Sequence, residues 1–220
     1  MSDTTPSRAP SLTERRKAAT QLDIARAAVE LFTERGPDGT TAEDIALRAG
    51  VALRTFYRYF RSKQDAVAPL LAGGADRWRA DLAATAPGTP LADALERSVA
   101  ASLTPADPEA EEELLRTRGL LRAAADDPAL RAVWYRVNQE SEERLREVLA
   151  GLAGPGADPL GVRLAAAAAT DAIRIALESW AEGEPGGGEG EPAVRGGGAP
   201  ASLAVRCLRE LTGGIELLRT

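Results

Sequence analysis

Two short helical segments separated by a glycine constrain the fold of this chain more than any other feature. Residues 40–60 read TTAEDIALRAGVALRTFYRYF. Thr41 stands three residues before Asp44, a pattern in which a hydroxyl caps a helix start and an acid faces the positive end of the helix dipole. Gly50 then interrupts the helical spacing of the apolar residues. The sequence therefore predicts two short helices, at 42–49 and 53–60.

The second of these helices has an apolar face and a basic face. Phe56 and Phe60 are four residues apart and can pack inward together. Two short helices joined by a turn that contains glycine form a helix-turn-helix, whose second helix lies in the major groove of DNA. The other side chains of the helix point outward and suit phosphates and base edges; they are Arg54, Thr55, Arg58 and Tyr59.

Charge is divided unevenly along the chain, which carries 27 basic and 33 acidic residues for a net charge of −6. Residues 1–63 hold 11 basic and 8 acidic residues, whereas residues 64–220 hold 16 and 25. Because phosphate neutralisation drives much of DNA binding, DNA is expected to meet the basic part. An acidic protein partner would also suit this part, and the chain would then be a helical interaction module.

Composition favours an all-α fold and argues against an enzyme. Hydrophobic residues make up 44% of the chain and aromatic residues only 4%, which is typical of helices packed on helices. There is no histidine, no glycine-rich phosphate loop and no cluster of metal ligands, so we predict no catalytic site, metal or cofactor. The polar start and the lack of a long apolar run predict a cytoplasmic protein with no membrane partner.

Residues 24–67, IARAAVELFTERGPDGTTAEDIALRAGVALRTFYRYFRSKQDAV, resemble the N-terminal DNA-binding domain of TetR-type transcriptional regulators. The motifs of that domain recur here in order and without gaps. The resemblance implies that Lys63 lies at the start of a fourth helix. It also implies phosphate contacts from Thr41, Tyr57, Tyr59 and Lys63, and base contacts from Leu53, Arg54 and Thr55.

Ala52 departs from the family pattern. TetR-type proteins usually have serine at this position, so the recognition helix here lacks its capping hydroxyl, a loss of about 1 kcal/mol. The fold is expected to tolerate this loss, but the first base contacts are affected. Arg54 could pair with guanine, and Leu53 could touch a thymine methyl group.

Prolines and glycines, which end helices, divide the remaining chain into predicted helices. We predict a disordered tail at 1–13, a three-helix DNA-binding domain at 14–62 and a helical effector-binding and dimerisation domain at 63–220. Residues 183–199 contain eight glycines and are predicted to form a mobile loop. Helices are predicted at 14–35 and, in the second domain, at 63–86, 91–103, 109–126, 129–153, 159–182 and 202–219.

The last two helices are rich in small or regularly spaced apolar residues. Small side chains let a neighbouring helix approach closely, so two such helices in each chain could pair with their copies in a four-helix interface. The resemblance implies the same homodimer, although both helices could instead lie inside a monomer. The predicted interface residues are Ala169, Ile173, Leu177, Leu208, Leu211 and Ile215.

A small-molecule effector site is expected in the second domain, since TetR-type regulators usually sense one there. Polar residues within apolar helix faces mark a candidate pocket. Alternatively, Arg118 and Asp171 pair with each other or face water. Residues 114–145 and the helix that ends in Trp180 are similar to TetR C-terminal domains of the mycofactocin-regulator type, which implies an elongated apolar, acyl-CoA-like effector. The candidate residues are Arg118, Trp134, Asn138, Ser141, Asp171 and Ile175.

The combined hypothesis is a dimeric repressor that reads a palindromic operator through two helix-turn-helix motifs about 34 Å apart. An effector that prefers a conformation with the wrong spacing would release the DNA. Activation in place of repression is an alternative within the same class.

Overall fold

The computed structural model describes residues 11–86, 88–183, 198–214 and 218. Within these ranges the chain forms α-helices and one 3-10 turn, Asp65–Val67, without a β-strand, which confirms the predicted all-α class. The helices are α1 Leu12–Arg35, α2 Ala42–Arg48, α3 Leu53–Tyr59, α4 Ala68–Ala83, α5 Leu91–Ser102, α6 Pro108–Asp126, α7 Pro128–Ala153, α8 Pro159–Glu182 and α9 Pro200–Thr212.

The chain divides into two compact units, Met1–Leu70 and Leu71–Thr220. Residues 63–70 belong to the first unit, where Ala66 and Val67 of the 3-10 turn are fully buried. Most of the tail predicted at 1–13 and most of the loop predicted at 183–199 lie outside the described residues, as does Ile215.

Side-chain caps fix the starts of most helices. Ser11 accepts a hydrogen bond from the Glu14 amide and forms a capping box with that residue, so α1 begins at Leu12 and not at Glu14 as predicted. Three aspartates each cap a helix whose first residue is proline, which needs no amide partner at that position. They are Asp107, Asp127 and Asp158, at the starts of α6, α7 and α8.

Two predicted helix boundaries in the second part of the chain are wrong. The helix predicted at 63–86 begins only at Ala68, because the 3-10 turn precedes it. The helix predicted at 202–219 ends at Thr212, because Gly213 and Gly214 follow and favour a turn over a helix.

The first unit is built around the apolar face of α1. Ile24, Ala28 and Leu31 of this helix are almost completely buried, and Ile45 of α2 and Phe56 of α3 are fully buried. Helix α1 packs against α2 and the 3-10 turn, and α2 packs against α3, whose residues Arg54, Tyr57 and Arg58 stay exposed.

Helix α8 is the central helix of the second unit. It packs against α6, α7 and α9 of the same chain, and its alanines Ala165, Ala166, Ala169, Ala172 and Ala176 are fully buried. The small residues therefore serve packing within one chain. None of the described helices is long and apolar enough to cross a membrane.

The residues predicted for a dimer interface differ in how far the single chain covers them. Ala169 is fully buried, and Leu177 and Leu208 are only 5% and 2% exposed within the single chain. These three side chains are covered within the single chain, in which α8 packs against α6, α7 and α9. Ile173 is half-buried and Leu211 is 43% exposed, so these two remain accessible.

Candidate nucleic-acid interface

The start of α2 is fixed by Thr41 and Asp44, as the sequence predicts. The Thr41 hydroxyl and amide donate to the Asp44 carboxylate at 2.7 and 2.9 Å, and the Asp44 amide donates back to the hydroxyl at 3.1 Å. These hydrogen bonds hold the pKa of the Asp44 carboxyl below its ordinary value. Thr41 is exposed, but its hydroxyl proton is already donated within the cap, so a phosphate would meet it mainly as part of the helix terminus.

Gly50 sets the turn between α2 and α3. Its φ of +67° lies in the left-handed region that favours glycine. The turn is closed by a hydrogen bond from the Val51 amide to the Ala46 carbonyl oxygen at 2.9 Å. This geometry places α3 as the second helix of a helix-turn-helix.

The inward packing of Phe56 and Phe60 is as predicted, whereas Thr55 and Tyr59, which were predicted to point outward, are half-buried. Phe56 is fully buried and Phe60 is 6% exposed, with their ring centroids 5.7 Å apart. On the other face Arg54 and Arg58 are exposed, and Tyr57 is 56% exposed. Between the faces lie half-buried residues of the predicted contact set: Leu53, Thr55 and Tyr59.

The recognition helix has no side-chain cap. Ala52 occupies the cap position in extended conformation (φ −68°, ψ 144°) and its side chain accepts no hydrogen bond. Its carbonyl oxygen still accepts the Thr55 and Phe56 amides at 2.7 and 3.2 Å. The first amides of α3 are therefore without the hydroxyl partner that serine would provide.

The five basic residues between residues 45 and 63 are not equivalent. Arg48 pairs with Glu30 at 3.2 Å and with Glu34 at 3.0 Å, so its charge is balanced within the unit. These hydrogen bonds raise the pKa of the Arg48 guanidinium. In contrast, Arg54 and Arg61 make no ion pair with any described residue and are exposed.

Arg58 is held by its neighbour Tyr59. Its guanidinium lies 4.8 Å from the centroid of the Tyr59 ring and donates to the phenol oxygen at 3.0 Å. Arg58 keeps its positive charge, since no carboxylate takes part in this contact. The three cations that this face offers to phosphates and bases are therefore Arg54, Arg58 and Arg61.

Lys63 is placed differently from the expectation. It lies in a turn before the 3-10 segment and not at the start of a helix, because α4 begins later. Its ammonium group donates to the carbonyl oxygens of Pro37 and Thr40 at 2.7 and 3.0 Å. Two of its three donors are thus occupied, and Lys63 first of all holds the turn between α1 and α2.

Thr40 was missed by the sequence analysis. It is only 1% exposed, and its hydroxyl donates to the carbonyl oxygen of Gly36 at 2.9 Å. Thr40 and Lys63 therefore fix the same turn from two sides. The only signal in the sequence is the pair of adjacent threonines. Thr40 is buried, and Thr41, which follows it, is the exposed cap of α2.

The comparisons with known proteins agree with this geometry. Residues 24–68 match the family model described as bacterial regulatory proteins, tetR family. The chain is 28% identical over 152 residues to the HTH-type transcriptional regulator TcmR of Streptomyces glaucescens, which covers 68% of this chain and 67% of that protein. It is 34% identical over 146 residues to an uncharacterized HTH-type transcriptional regulator of Mycobacterium tuberculosis, covering 66% of this chain and 64% of that protein. Residues 24–68 therefore carry a DNA-binding domain of the TetR family.

Solved structures extend the TetR-family fold beyond the matched segment. The multidrug binding protein EbrR, complexed with imidazole, is similar with a TM-score of 0.51 and 23% identity over 87% of this chain and 93% of that chain. A TetR transcriptional regulator from Rhodococcus sp. RHA1 gives a TM-score of 0.53 and 20% identity over 92% and 100%. These likenesses show the fold. The TetR-family relatives are transcriptional regulators and not enzymes, as the sequence predicted.

The similarity to mycofactocin regulators is short. MftR of Mycobacterium tuberculosis, assigned to the regulation of mycofactocin biosynthesis, is 43% identical over 49 residues, which is 22% of this chain and 25% of that protein. A match of 49 residues does not span the second unit, Leu71–Thr220.

Three of the six predicted effector residues, Arg118, Trp134 and Ser141, make hydrogen bonds to residues outside their own helix. The indole of Trp134 donates to Glu178 at 2.8 Å, and Arg174 donates to the same carboxylate at 2.9 Å. Asp171 is exposed and accepts from Arg174 at 2.9 Å, so the pairing of Asp171 with Arg118 is not formed. The hydrogen bond from Trp134 to Glu178 joins α7 to α8, and the two contacts of Arg174 lie within α8.

Asn138, Ser141 and Ile175 differ in their contacts and burial. Asn138 is half-buried and donates to the Trp134 carbonyl oxygen of its own helix at 2.9 Å. Ser141 is 5% exposed and accepts from Arg79 of α4 at 3.4 Å. Ile175 is half-buried on α8. The joint role of the candidates in an effector pocket stays a prediction.

Arg118 and Arg122 of α6 both bind the C-terminal end of α8. The Arg118 guanidinium lies 4.8 Å from the Trp180 ring centroid and donates to the Gly183 carbonyl oxygen at 2.7 Å. Arg122 donates to the same oxygen at 2.8 Å. Burial lowers the pKa of Arg118, and the charge of Arg122 lowers it further. The two side chains hold the last carbonyls of α8 against α6.

A groove of about 430 Å³ lies elsewhere, between α5 and α9. It is lined by small and charged side chains that include Ala100, Val205 and Arg209, and by none of the predicted effector residues. The part of the chain that the structure describes contains no group of three metal-ligating side chains.

Proposed function

We propose that this TetR-family regulator is a cytoplasmic homodimeric repressor that binds a palindromic operator and is released by a small effector. The observation that carries the proposal is the outer face of α3, where Arg54 is exposed and makes no ion pair with any described residue. A free guanidinium on a recognition helix can pair with two acceptors of guanine in the major groove. Arg58, Arg61 and the exposed Tyr57 flank it with groups that suit phosphates.

The outer faces of α8 and α9 support dimerisation. Leu160 and Leu164 of α8 are 62% and 47% exposed, and Leu211 of α9 is 43% exposed. Large exposed leucines one turn apart on a helix are typical of a surface that a second copy covers. The interface proposed here therefore uses the outward leucines, with Ile173 as a half-buried neighbour, in place of the buried residues predicted at first.

The contact between Arg79 and Ser141 supports an effector site between α4 and α7. The Arg79 side chain is only 11% exposed, although it carries a charge, and it also pairs with Asp76. A buried guanidinium beside a buried hydroxyl is a polar element of the kind that orients a ligand in an apolar site. An elongated apolar effector, acyl-CoA-like in the resemblance, would compete for this contact and shift α4, with a typical coupling of about 1–3 kcal/mol.

Footprinting of DNA upstream of the gene for this chain tests the proposal. We expect two protected half-sites related by two-fold symmetry, with centres about 10 base pairs or a multiple of that distance apart. Protection of a single half-site would contradict the homodimer. Protection that spreads over all sequences alike would instead favour a basic interaction module without an operator.

A further inference from the structure

Helix α1 extends well beyond the part that packs into the first unit. Its buried residues begin at Ile24, and every position from Ser11 to Ala19 is exposed, including Leu12 at 57%. Twelve residues of α1, Leu12–Asp23, therefore precede the packed part, and at a rise of 1.5 Å per residue they span about 18 Å. This extension also precedes residues 24–68, which match the family model.

The extension carries three consecutive cations, Arg15, Arg16 and Lys17. None of them forms an ion pair with a residue that the structure describes. The one acid in the first turn, Glu14, accepts the Ser11 amide at 2.6 Å, and its pKa is lowered mainly by Ser11 and only weakly by the charge of Lys17. The acids farther along α1 are also engaged, since Glu30 and Glu34 bind Arg48.

The arrangement is unfavourable for the isolated protein. The first turns of a helix carry the positive end of the helix dipole, where cations are destabilising. Three adjacent positive charges also repel one another. A polyanion placed against the extension would remove both penalties. The helix also holds the three charges at a fixed position, which a flexible tail of the same sequence would not do.

We propose that the basic extension, Leu12–Asp23, is a second DNA-binding element that contacts phosphates of the duplex flanking the segment read by α3. The partner is DNA because the extension belongs to the same compact unit as α3, while the other unit is acidic. Contacts to phosphates add affinity and fix the position of a protein on the duplex without reading sequence. The inference rests on the proposed function, because it requires the chain to bind an operator.

The test uses the full-length protein and the variant R15Q/R16Q/K17Q, since glutamine is a good helix former and removes only the charges. Binding is measured on two duplexes that carry the same operator. The shorter one ends at the outer edge of the footprint of the variant, and the longer one continues for about one helical turn on each side. A matched control is R97Q/R131Q/R206Q, which removes three exposed arginines from the acidic unit.

We expect the triple variant to lose affinity for the longer duplex only. Each phosphate contact contributes about 0.9 to the slope of log K against log salt, so three contacts in each chain lower the slope by about 2.7. On the longer duplex, the ratio of wild-type affinity to variant affinity should therefore fall about 40-fold for each chain when salt is raised from 50 to 200 mM. The control variant should bind both duplexes like the wild type, and circular dichroism should show unchanged helix content.

Equal binding of the wild type and the triple variant to the longer duplex would overturn the inference, as would an equal loss on both duplexes. Unchanged DNA binding together with lost retention on another polyanion would assign the extension to a different acidic partner and would also overturn it. Failure of the wild type to prefer the operator over unrelated DNA is a separate result, which counts against the proposed function itself.

Discussion

The ammonium group of Lys63 donates a hydrogen bond of 2.7 Å to the carbonyl oxygen of Pro37 and so ties the end of the helix-turn-helix to the turn between α1 and α2. The carbonyl oxygen of Thr40 accepts a second bond from the same group. Lys63→Met is expected to lower the free energy of unfolding by about 1–3 kcal/mol, because two carbonyl oxygens lose a charged donor. Urea denaturation measures this loss.

The same variant should weaken binding to all DNA sequences about equally, since no base contact is removed. Arg61→Ala is the matched control: Arg61 is two residues away and exposed, and it has no ion pair among the described residues. It should reduce DNA affinity without changing stability. Equal stability of Lys63→Met and the wild type would show that the contact to Pro37 does not hold the turn.

Arg54→Ala is expected to relax the choice of sequence. The side chain is exposed on the outer face of α3 and contributes little to the fold, so its loss should leave the unfolding curve unchanged. A bidentate contact to guanine discriminates against other bases by about 1–3 kcal/mol. Titrations of matched and mismatched operators measure the ratio. A variant that loses affinity for both operators to the same extent would assign Arg54 to a phosphate.

Leu164→Lys is expected to dissociate the homodimer without unfolding the chain, because Leu164 is 47% exposed in the single chain. Leu115→Lys is a matched control on α6, with a leucine that is 52% exposed. Sedimentation equilibrium at several concentrations distinguishes the two variants. A dimer that persists in Leu164→Lys would place the interface elsewhere.

Ala169→Leu separates packing within the chain from packing between chains. Ala169 is fully buried in the single chain, so the larger side chain should destabilise the fold by about 1–3 kcal/mol. If Ala169 instead faced the second copy, the substitution would change the dimer dissociation constant and leave the stability of the monomer unaffected.

The contact between Glu96 of α5 and Arg209 of α9 predicts a dependence of stability on pH. The two side chains approach to 2.6 Å, and Arg209 holds the pKa of Glu96 below its ordinary value of 4.5. A carboxyl whose pKa is lowered by folding stabilises the protein above its unfolded pKa and loses this effect as the pH falls through the folded pKa. Comparison of the wild type with Glu96→Gln should show a difference of at most about 1 kcal/mol at pH 7, which decreases as the pH is lowered below the ordinary pKa of 4.5. A difference that is independent of pH would contradict the assignment.

Local patterns in the sequence were sufficient for the elements near the DNA. The cap of Thr41 on Asp44 depends on residues three apart, and the pairing of Phe56 with Phe60 on residues four apart, so both follow from helix geometry. The missing cap at Ala52 is equally local. The buried face of α3 could therefore be predicted before the tertiary structure was known, whereas the half-buried positions of Thr55 and Tyr59 could not.

Contacts between distant residues could not be predicted in this way. Arg48 belongs to the basic stretch by sequence, but Glu30 and Glu34 neutralise it once α2 has packed beside α1. Arg79 gave no signal, because charged side chains are expected at the surface. The alanines of α8 indicated burial, yet a sequence does not tell whether the neighbour belongs to the same chain or to a second copy.

Fluorescence anisotropy of the full-length protein on DNA from upstream of its own gene, against scrambled DNA at two salt concentrations, tests the central claim most directly. We predict that the upstream DNA is bound more tightly by about 10³-fold or more, with a preference that persists at the higher salt concentration. Equal binding of both DNAs that falls steeply with salt would contradict the claim and would leave only a basic surface on the first unit.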